Sequence, residues 1–282
     1  MAISQITLTS GMRQNLFSLQ TTQQLLETTQ KRLATGLRVN KAIDDPVNYF
    51  TAQAHNQRAD DLSSRKDEMA ESIQLINSAN EGVESITSLI ASAKSLAQSA
   101  LSGSTTTEIN TLMAQYHEVL NQIDLIAADS NYKGINLLDS TAITHTVKFD
   151  ETGDSSLTIT GFDADSKGAT LSLATYATDA WVSAGGTADK LDINSAITKL
   201  DSATSALRTE AKKLSTNLGT ITIRQDFTAG MINTLQDGAA NLTNADMNEE
   251  GANMLMLQTR QSLGTTSLSM ASQAAQSVLR LF

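Results

Sequence analysis

Residues 31–50, KRLATGLRVNKAIDDPVNYF, hold the only proline of the chain, Pro46, in a sequence with few other breaks. Lys31 and Arg32 precede Gly36, Arg38 and Lys41 follow it, and Asp44 and Asp45 stand directly before the proline. Basic side chains suit the last turns of a helix, where carbonyls are left unpaired and the dipole is negative. An aspartate ahead of proline is an N-cap followed by proline at the first helical position, where its missing N–H costs nothing. The stretch therefore reads as a joint between two helices, and the fold follows from what those helices are.

Upstream, Met12, Leu19, Leu26 and Leu33 recur at a strict seven-residue period, the mark of a coiled-coil seam. The companion positions four residues on are Leu16, Gln23, Gln30 and Leu37; half of them are polar, so this seam alone packs weakly. Downstream, Leu62, Met69, Ile76, Val83, Ile90 and Ala97 form a second series, widened by Ile73, Ile86, Ala93 and Ala100. A helix from Pro46 to about Leu101 would be roughly 80 Å long at 1.5 Å per residue.

Further out, SGSTTTE is a turn in which Thr105 or Thr106 can cap a third helix, with Ile109, Leu112, Met113, Tyr116, Leu120, Ile123 and Ala127 on one face. A fourth series, Ile193, Leu200, Leu207, Leu214 and Ile221, is supported by Ile197, Ala211 and Leu218, with Asp192 as the expected cap. Between them, HTVKF and SLTIT alternate and are joined by DETGD, the pattern of a β-hairpin. GATLSL reads as another short strand, and residues 134 to about 187 as a solvent-exposed excursion. The C-terminal helix carries two apolar rows, Met256, Leu263 and Met270 beside Leu257, Gly264, Ala271 and Val278, with Leu268, Ala275 and Phe282. A helix apolar on more than one face is buried on more than one face, and other copies of the chain are the most economical cover.

These patterns give a mainly α fold: an elongated antiparallel helical bundle or coiled coil with a small β-hairpin region, its terminal helices pairing on assembly. The expected segments are residues 1–40 (N-terminal helix of an inner layer), 41–137 (N-terminal rod helices), 138–190 (hairpin and insertion), 191–240 (C-terminal rod helix) and 241–282 (C-terminal helix of the inner layer). Composition agrees: one Trp, four Tyr and six Phe among 282 residues leave the core to aliphatic side chains. Absent cysteine removes disulfides, thiolate metal sites and cysteine nucleophiles. The net charge of −10 argues against nucleic acid or an anionic membrane as partner. The acid lies outside the first forty residues, which carry Arg13, Lys31, Arg32 and Arg38 against Glu27. No segment approaches the roughly 20 apolar residues of a membrane span, and MAISQITLTSGMRQNLF lacks the apolar core of a signal peptide, so the expected exit from the cell is a non-Sec route.

Chemistry is sparse. His55, His117 and His145 lie far apart and without partners at motif spacing, so each reads as a packing or surface residue. DADSKG, residues 163–168, opens like a Ca²⁺ loop, but Lys167 takes the fifth position and Ala174 the twelfth, where an acid is required. No phosphate-binding glycine loop or nucleophile elbow is present. The expectation is a protein that is not an enzyme, with no cofactor and no metal.

QKRLATGLRVNKAIDDP resembles the stretch of bacterial flagellins written with a Leu-Ser-Ser-Gly-Leu-Arg-Ile-Asn core followed by Asp-Asp. MLMLQTRQSLGTTSLSMASQAAQSVLRLF is similar to the flagellin C-terminus, and LNQIDLIAADSNYKGINLL to the segment that enters the family's hairpin. The resemblance covers nearly the whole chain and implies a compact flagellin without the large outer domains. It implies an extracellular structural subunit that polymerises into the bacterial flagellar filament for swimming motility; the alternative is the hook-filament junction protein. The implied polymerisation interface is Leu19, Leu26, Leu33, Leu257, Leu263, Leu268, Val278, Leu279, Leu281 and Phe282, and the inter-layer joint Arg38, Asn40, Asp44, Asp45 and Pro46. Implied partners are further copies in a helical homopolymer, the flagellar type III export apparatus, a flagellin chaperone, the filament cap and hook-associated proteins.

Overall fold

The computed structural model describes residues 10–173 and 175–279, the side chains of Ala275, Val278 and Leu279 excepted. The described elements run α1 (Ser10–Thr35), α2 (Pro46–Leu101), α3 (Thr106–Asp129), β1 (Thr144–Lys148), β2 (Ser156–Thr160), α4 (Lys190–Thr243) and α5 (Met247–Leu279). The mainly α fold with a small hairpin is thus what the heptads and the alternating runs imply. The chain divides into two compact units, one of its two ends (up to Gln57 and from Thr234), the other Arg58–Asn233.

In the middle unit the three expected seams meet. Met69, Ile76, Ile86, Ile90 and Ala97 of α2 share one core with Ile109, Tyr116, Leu120 and Ile123 of α3 and with Ile193, Leu200, Leu207, Leu214 and Ile221 of α4. Helix starts are set by short polar side chains, which satisfy amides that have no intrahelical partner. Thr105 caps α3 by accepting from the Glu108 N–H at 3.3 Å. The cap of α4 is Asp189, not Asp192: Asp189 Oδ1 accepts from the N–H of Leu191 at 2.9 Å and of Asp192 at 3.3 Å. Asp192 falls in the first turn, where its charge complements the helix dipole.

Strands β1 and β2 pair antiparallel, with Thr144 opposite Thr160 and Lys148 opposite Ser156. Period-two alternation turns Val147 and Ile159 into the core. The connecting turn is built on Asp150, whose Oδ1 accepts from Gly153 N–H at 2.8 Å and Ser155 N–H at 3.2 Å. GATLSL, in contrast, is a turn and not a strand. Leu171 and Leu173 are buried as alternation demands, but the backbone bonds close locally, Ser172 N–H to Gly168 O at 2.9 Å and Leu173 N–H to Ser166 O at 2.7 Å. The insertion is also no solvent-exposed excursion. Leu137, Leu138, Phe162, Leu171, Leu173 and Trp181 complete the core that the rod helices leave open on one side. Trp181 is fully buried, its ring 5.0 Å from that of Tyr116 and 5.7 Å from that of Tyr176.

In the other unit α1 pairs with α5. Met12 and Leu26 are buried and Leu19 and Leu33 half-buried, as the seven-residue period requires. The companion row lies three residues on, at Asn15, Thr22 and Thr29, and not at Leu16, Gln23 and Gln30. Thr22 returns its hydroxyl to Ser18 O at 2.9 Å, so its methyl enters the seam with no polar group stranded. This rotation of α1 leaves Leu16, Phe17 and Leu25 exposed.

Candidate functional site

The joint quoted at the outset is a stitched junction. Gly36 takes a φ of +71°, a conformation that costs glycine little, and its N–H closes α1 on Arg32 O at 2.8 Å. The chain then runs beside the end of α4: the N–H groups of Arg38 and Val39 both reach Thr243 O, at 2.7 and 3.1 Å, and Ala245 N–H returns to Gly36 O at 2.9 Å. Carbonyls that the two helix ends would leave bare are thereby satisfied. Arg32 adds a salt bridge to Glu250 of α5 at 2.8 Å. Glu250 itself is buried, and its other oxygen, Oε2, has no partner among the described residues.

Asp44 and Asp45 divide the work of the turn. Asp44 Oδ2 accepts from the N–H of Lys41 at 2.9 Å and of Asn40 at 3.1 Å. Those two bonds hold its carboxyl below the usual carboxylate value, assisted by the charges of Lys31 and Lys41. Asp45 caps α2, accepting from Asn48 N–H at 3.1 Å, and Pro46 occupies the first helical position. The structure therefore brings Arg38, Asn40, Asp44, Asp45 and Pro46 into one turn.

The terminal seam sorts the remaining expected residues. Leu26 and Leu257 are buried between α1 and α5, with Leu19, Leu33 and Leu268 half-buried on the same faces. Leu263 points away, 65% exposed, in a row with Met256 and Met270 and beside Leu255. The side chains of Val278 and Leu279, and all of Leu281 and Phe282, lie outside the described residues. Three apolar side chains that the sequence reading passed over are also bare: Ile43, Val47 and Phe50, at the joint and the start of α2. Val47 and Phe50, three apart on the first turns of α2, carried the available signal; Ile43, in the turn before the helix, carries none.

Elsewhere carboxylates at the acidic turn are occupied by the fold. The acidic turn at residues 163–168 closes on itself, Asp163 Oδ1 accepting from Asp165 N–H at 3.1 Å, while Asp124 accepts from Ser166 N–H at 2.6 Å. Among the described residues no group of three or more His, Asp or Glu is placed to hold a metal ion, and no helix is long and apolar enough to cross a membrane. A cavity of about 230 Å³ opens in the middle unit, floored by Leu75, Ile135 and Val147 and edged by Glu68, Glu71 and Lys133. Beside its floor His145 Nε2 lies 2.9 Å from Ser72 Oγ. What the described residues offer is exposed apolar surface, stitched helix ends and several recesses, of which this is one.

Comparison with known proteins agrees. The family model for the bacterial flagellin N-terminal helical region matches residues 3–142, and that for the C-terminal helical region matches residues 192–282. Flagellins FljK and FljM of Caulobacter vibrioides are 29% and 30% identical over 287 and 288 residues, covering 100% of both chains. A flagellin of Brucella melitensis is 28% identical over 283 residues, covering 95% of each. The crystal structure of Bacillus cereus flagellin is similar to 57% of this chain and 88% of that one, with 20% identity and a TM-score of 0.45. Nothing among these favours the junction protein. With both helical regions matched and relatives aligned from end to end, the chain belongs to the bacterial flagellin family, the structural subunits of the flagellar filament.

Proposed function

We propose that the subunit polymerises through the faces that α1 and α5 leave uncovered after pairing with each other. The observation that carries this is the row Met256, Leu263 and Met270, 45%, 65% and 60% exposed on a helix whose opposite face is already engaged with α1. Leu16, Phe17 and Leu25 supply a matching exposed face on α1. In this reading Leu19, Leu26, Leu33, Leu257 and Leu268 hold one chain's ends together, and Leu263 with its row joins the pair to neighbouring copies. The joint of Arg38, Asn40, Asp44, Asp45 and Pro46 fixes where the terminal layer begins.

The protein acts by assembly and performs no catalysis. Family membership supports export through the flagellar type III apparatus, a chaperone for the C-terminal region, and a cap and hook-associated proteins at the filament's ends. Seeded polymerisation followed by electron microscopy tests the assembly face. Leu263→Ser with Met270→Ser is expected to abolish long filaments while α1 and α5 remain paired; undiminished filaments would overturn the reading.

A further inference from the structure

The exposed row of α5 differs from the other apolar surface in its chemistry, because two of its three members carry sulfur. Met256 is 45% and Met270 60% exposed, whereas Met12, Met69 and Met113 are buried and Met231 and Met254 half-buried. Met247, 48% exposed, stands at the start of α5 and outside the row. Met12 lies on the buried face of α1, and Met69 and Met113 lie in the core of the middle unit. A small oxidant in water therefore meets the sulfurs of the row and is kept from those of either core. Leu16, Phe17 and Leu25, the exposed face of α1, are hydrocarbon and inert to such a reagent. The chain has no cysteine, so no thiol competes for the oxidant.

We propose that Met256 and Met270 are oxidation sites through which a peroxide controls whether a free copy can join the polymer. The proposal rests on the filament reading above and adds a regulation to its assembly face. A thioether lone pair attacks one oxygen of hydrogen peroxide; the O–O bond breaks, an S–O bond forms, and the second oxygen leaves as water with the proton of the first. Sulfur loses two electrons and the peroxide gains them. The resulting sulfoxide turns an apolar side chain into a polar one. In the free copy water solvates it, and because both sulfurs lie on the exposed side of α5, the pairing with α1 is left intact. Assembly would press the sulfoxide against the hydrocarbon of a neighbouring copy, and a polar group buried without a hydrogen-bond donor costs free energy. The coupling is reciprocal: oxidation disfavours assembly, and a copy already covered by its neighbours resists oxidation.

The test treats free subunits and filaments with hydrogen peroxide and reads the sulfoxide at each methionine by peptide mass spectrometry. In the free subunit Met256 and Met270 are expected to oxidise well ahead of Met12, Met69 and Met113, and in filaments both are expected to oxidise about tenfold more slowly. Subunits carrying the two sulfoxides are expected to show a critical concentration on untreated seeds raised about tenfold. Methionine sulfoxide reductases of both stereospecificities, with dithiothreitol as reductant, are expected to restore it. Met256→Leu with Met270→Leu keeps the row apolar and removes its sulfur. Whatever critical concentration that variant has, peroxide is expected to leave it unchanged, which separates the row from Met247. Subunits that assemble as before with both sulfoxides in place overturn the proposal, as does a leucine variant that peroxide stops equally well. Met256 and Met270 oxidised as fast in filaments as in free subunits would instead overturn the assembly face itself, and an untreated chain that forms no filament would overturn the filament reading.

Discussion

Gly82 sits in the buried face of α2, and its missing side chain is what admits the end of α3. A Cβ there would stand 2.6 Å from a Leu138 methyl and 2.9 Å from the Ser130 Cβ. Gly82→Ala is therefore expected to destabilise the middle unit by about 1–3 kcal/mol, more than the roughly 0.5–1 kcal/mol that alanine gains over glycine in a helix. Gly219 of α4 meets nothing within 4 Å, so Gly219→Ala is expected to stabilise by that smaller amount. Urea unfolding of the two variants checks the opposite signs. His145 gives a pH-dependent counterpart. The Ser72 hydroxyl donates to Glu68 O at 2.8 Å, so its oxygen accepts from His145 Nε2–H. Burial holds the imidazole below its ordinary 6.5, so the folded state takes up a proton less readily than the unfolded one. The associated stability is complete above that ordinary value and is lost as pH falls through it toward the folded value. His145→Gln should remove this part of the acid sensitivity. Thermal unfolding between about pH 7 and pH 5 reads it, and an identical decline in both proteins would be the contrary result.

At the scale of elements, Asp45→Ala is expected to cost about 1 kcal/mol and to fray the first turn of α2. Hydrogen exchange at residues 49–51 measures this; unchanged protection would mean that Pro46 alone starts the helix. That start was legible in the sequence because an Asp-Pro pair acts locally. So were the seams of α2, α3 and α4, since every heptad position from Met69 to Ala97 faces one continuous core. The rotation of α1 was not legible. Thr22 and Gln23 are both polar, and only a threonine's capacity to bond back to its own helix decides which of them enters the seam. The same limit applies to GATLSL, whose alternation fits a strand and a tight turn alike, and to Asp189, which precedes the apolar pattern that locates α4. Of the exposed apolar surface, the Met256 row could be read from its spacing. Ile43 could not, because a single apolar residue in a loop carries no period.

For the molecule as a whole, removal of residues 257–282 should leave α1 without its partner and abolish polymerisation, while the core of α2, α3 and α4 stays folded. Circular dichroism and sedimentation decide it, and filaments from the shortened chain would contradict the assembly face. In the intact protein, amides of α1 and α5 are expected to gain hydrogen-exchange protection on polymerisation, since each helix of the pair keeps an exposed apolar face until neighbouring copies cover it. Equal protection in monomer and filament would count against that. The pairing of the two ends has one more implication, and it concerns time. Arg32 meets Glu250 across 218 positions of sequence, and Asn15 lies against Ser267 across 252. A chain delivered from its N-terminus therefore shows the stripe of Met12, Leu19 and Leu26 with nothing to close on until its final segment arrives. Closure of that unit is a length check: a copy cut short before α5 never completes it, and only a chain delivered whole can present the finished pair to its neighbours.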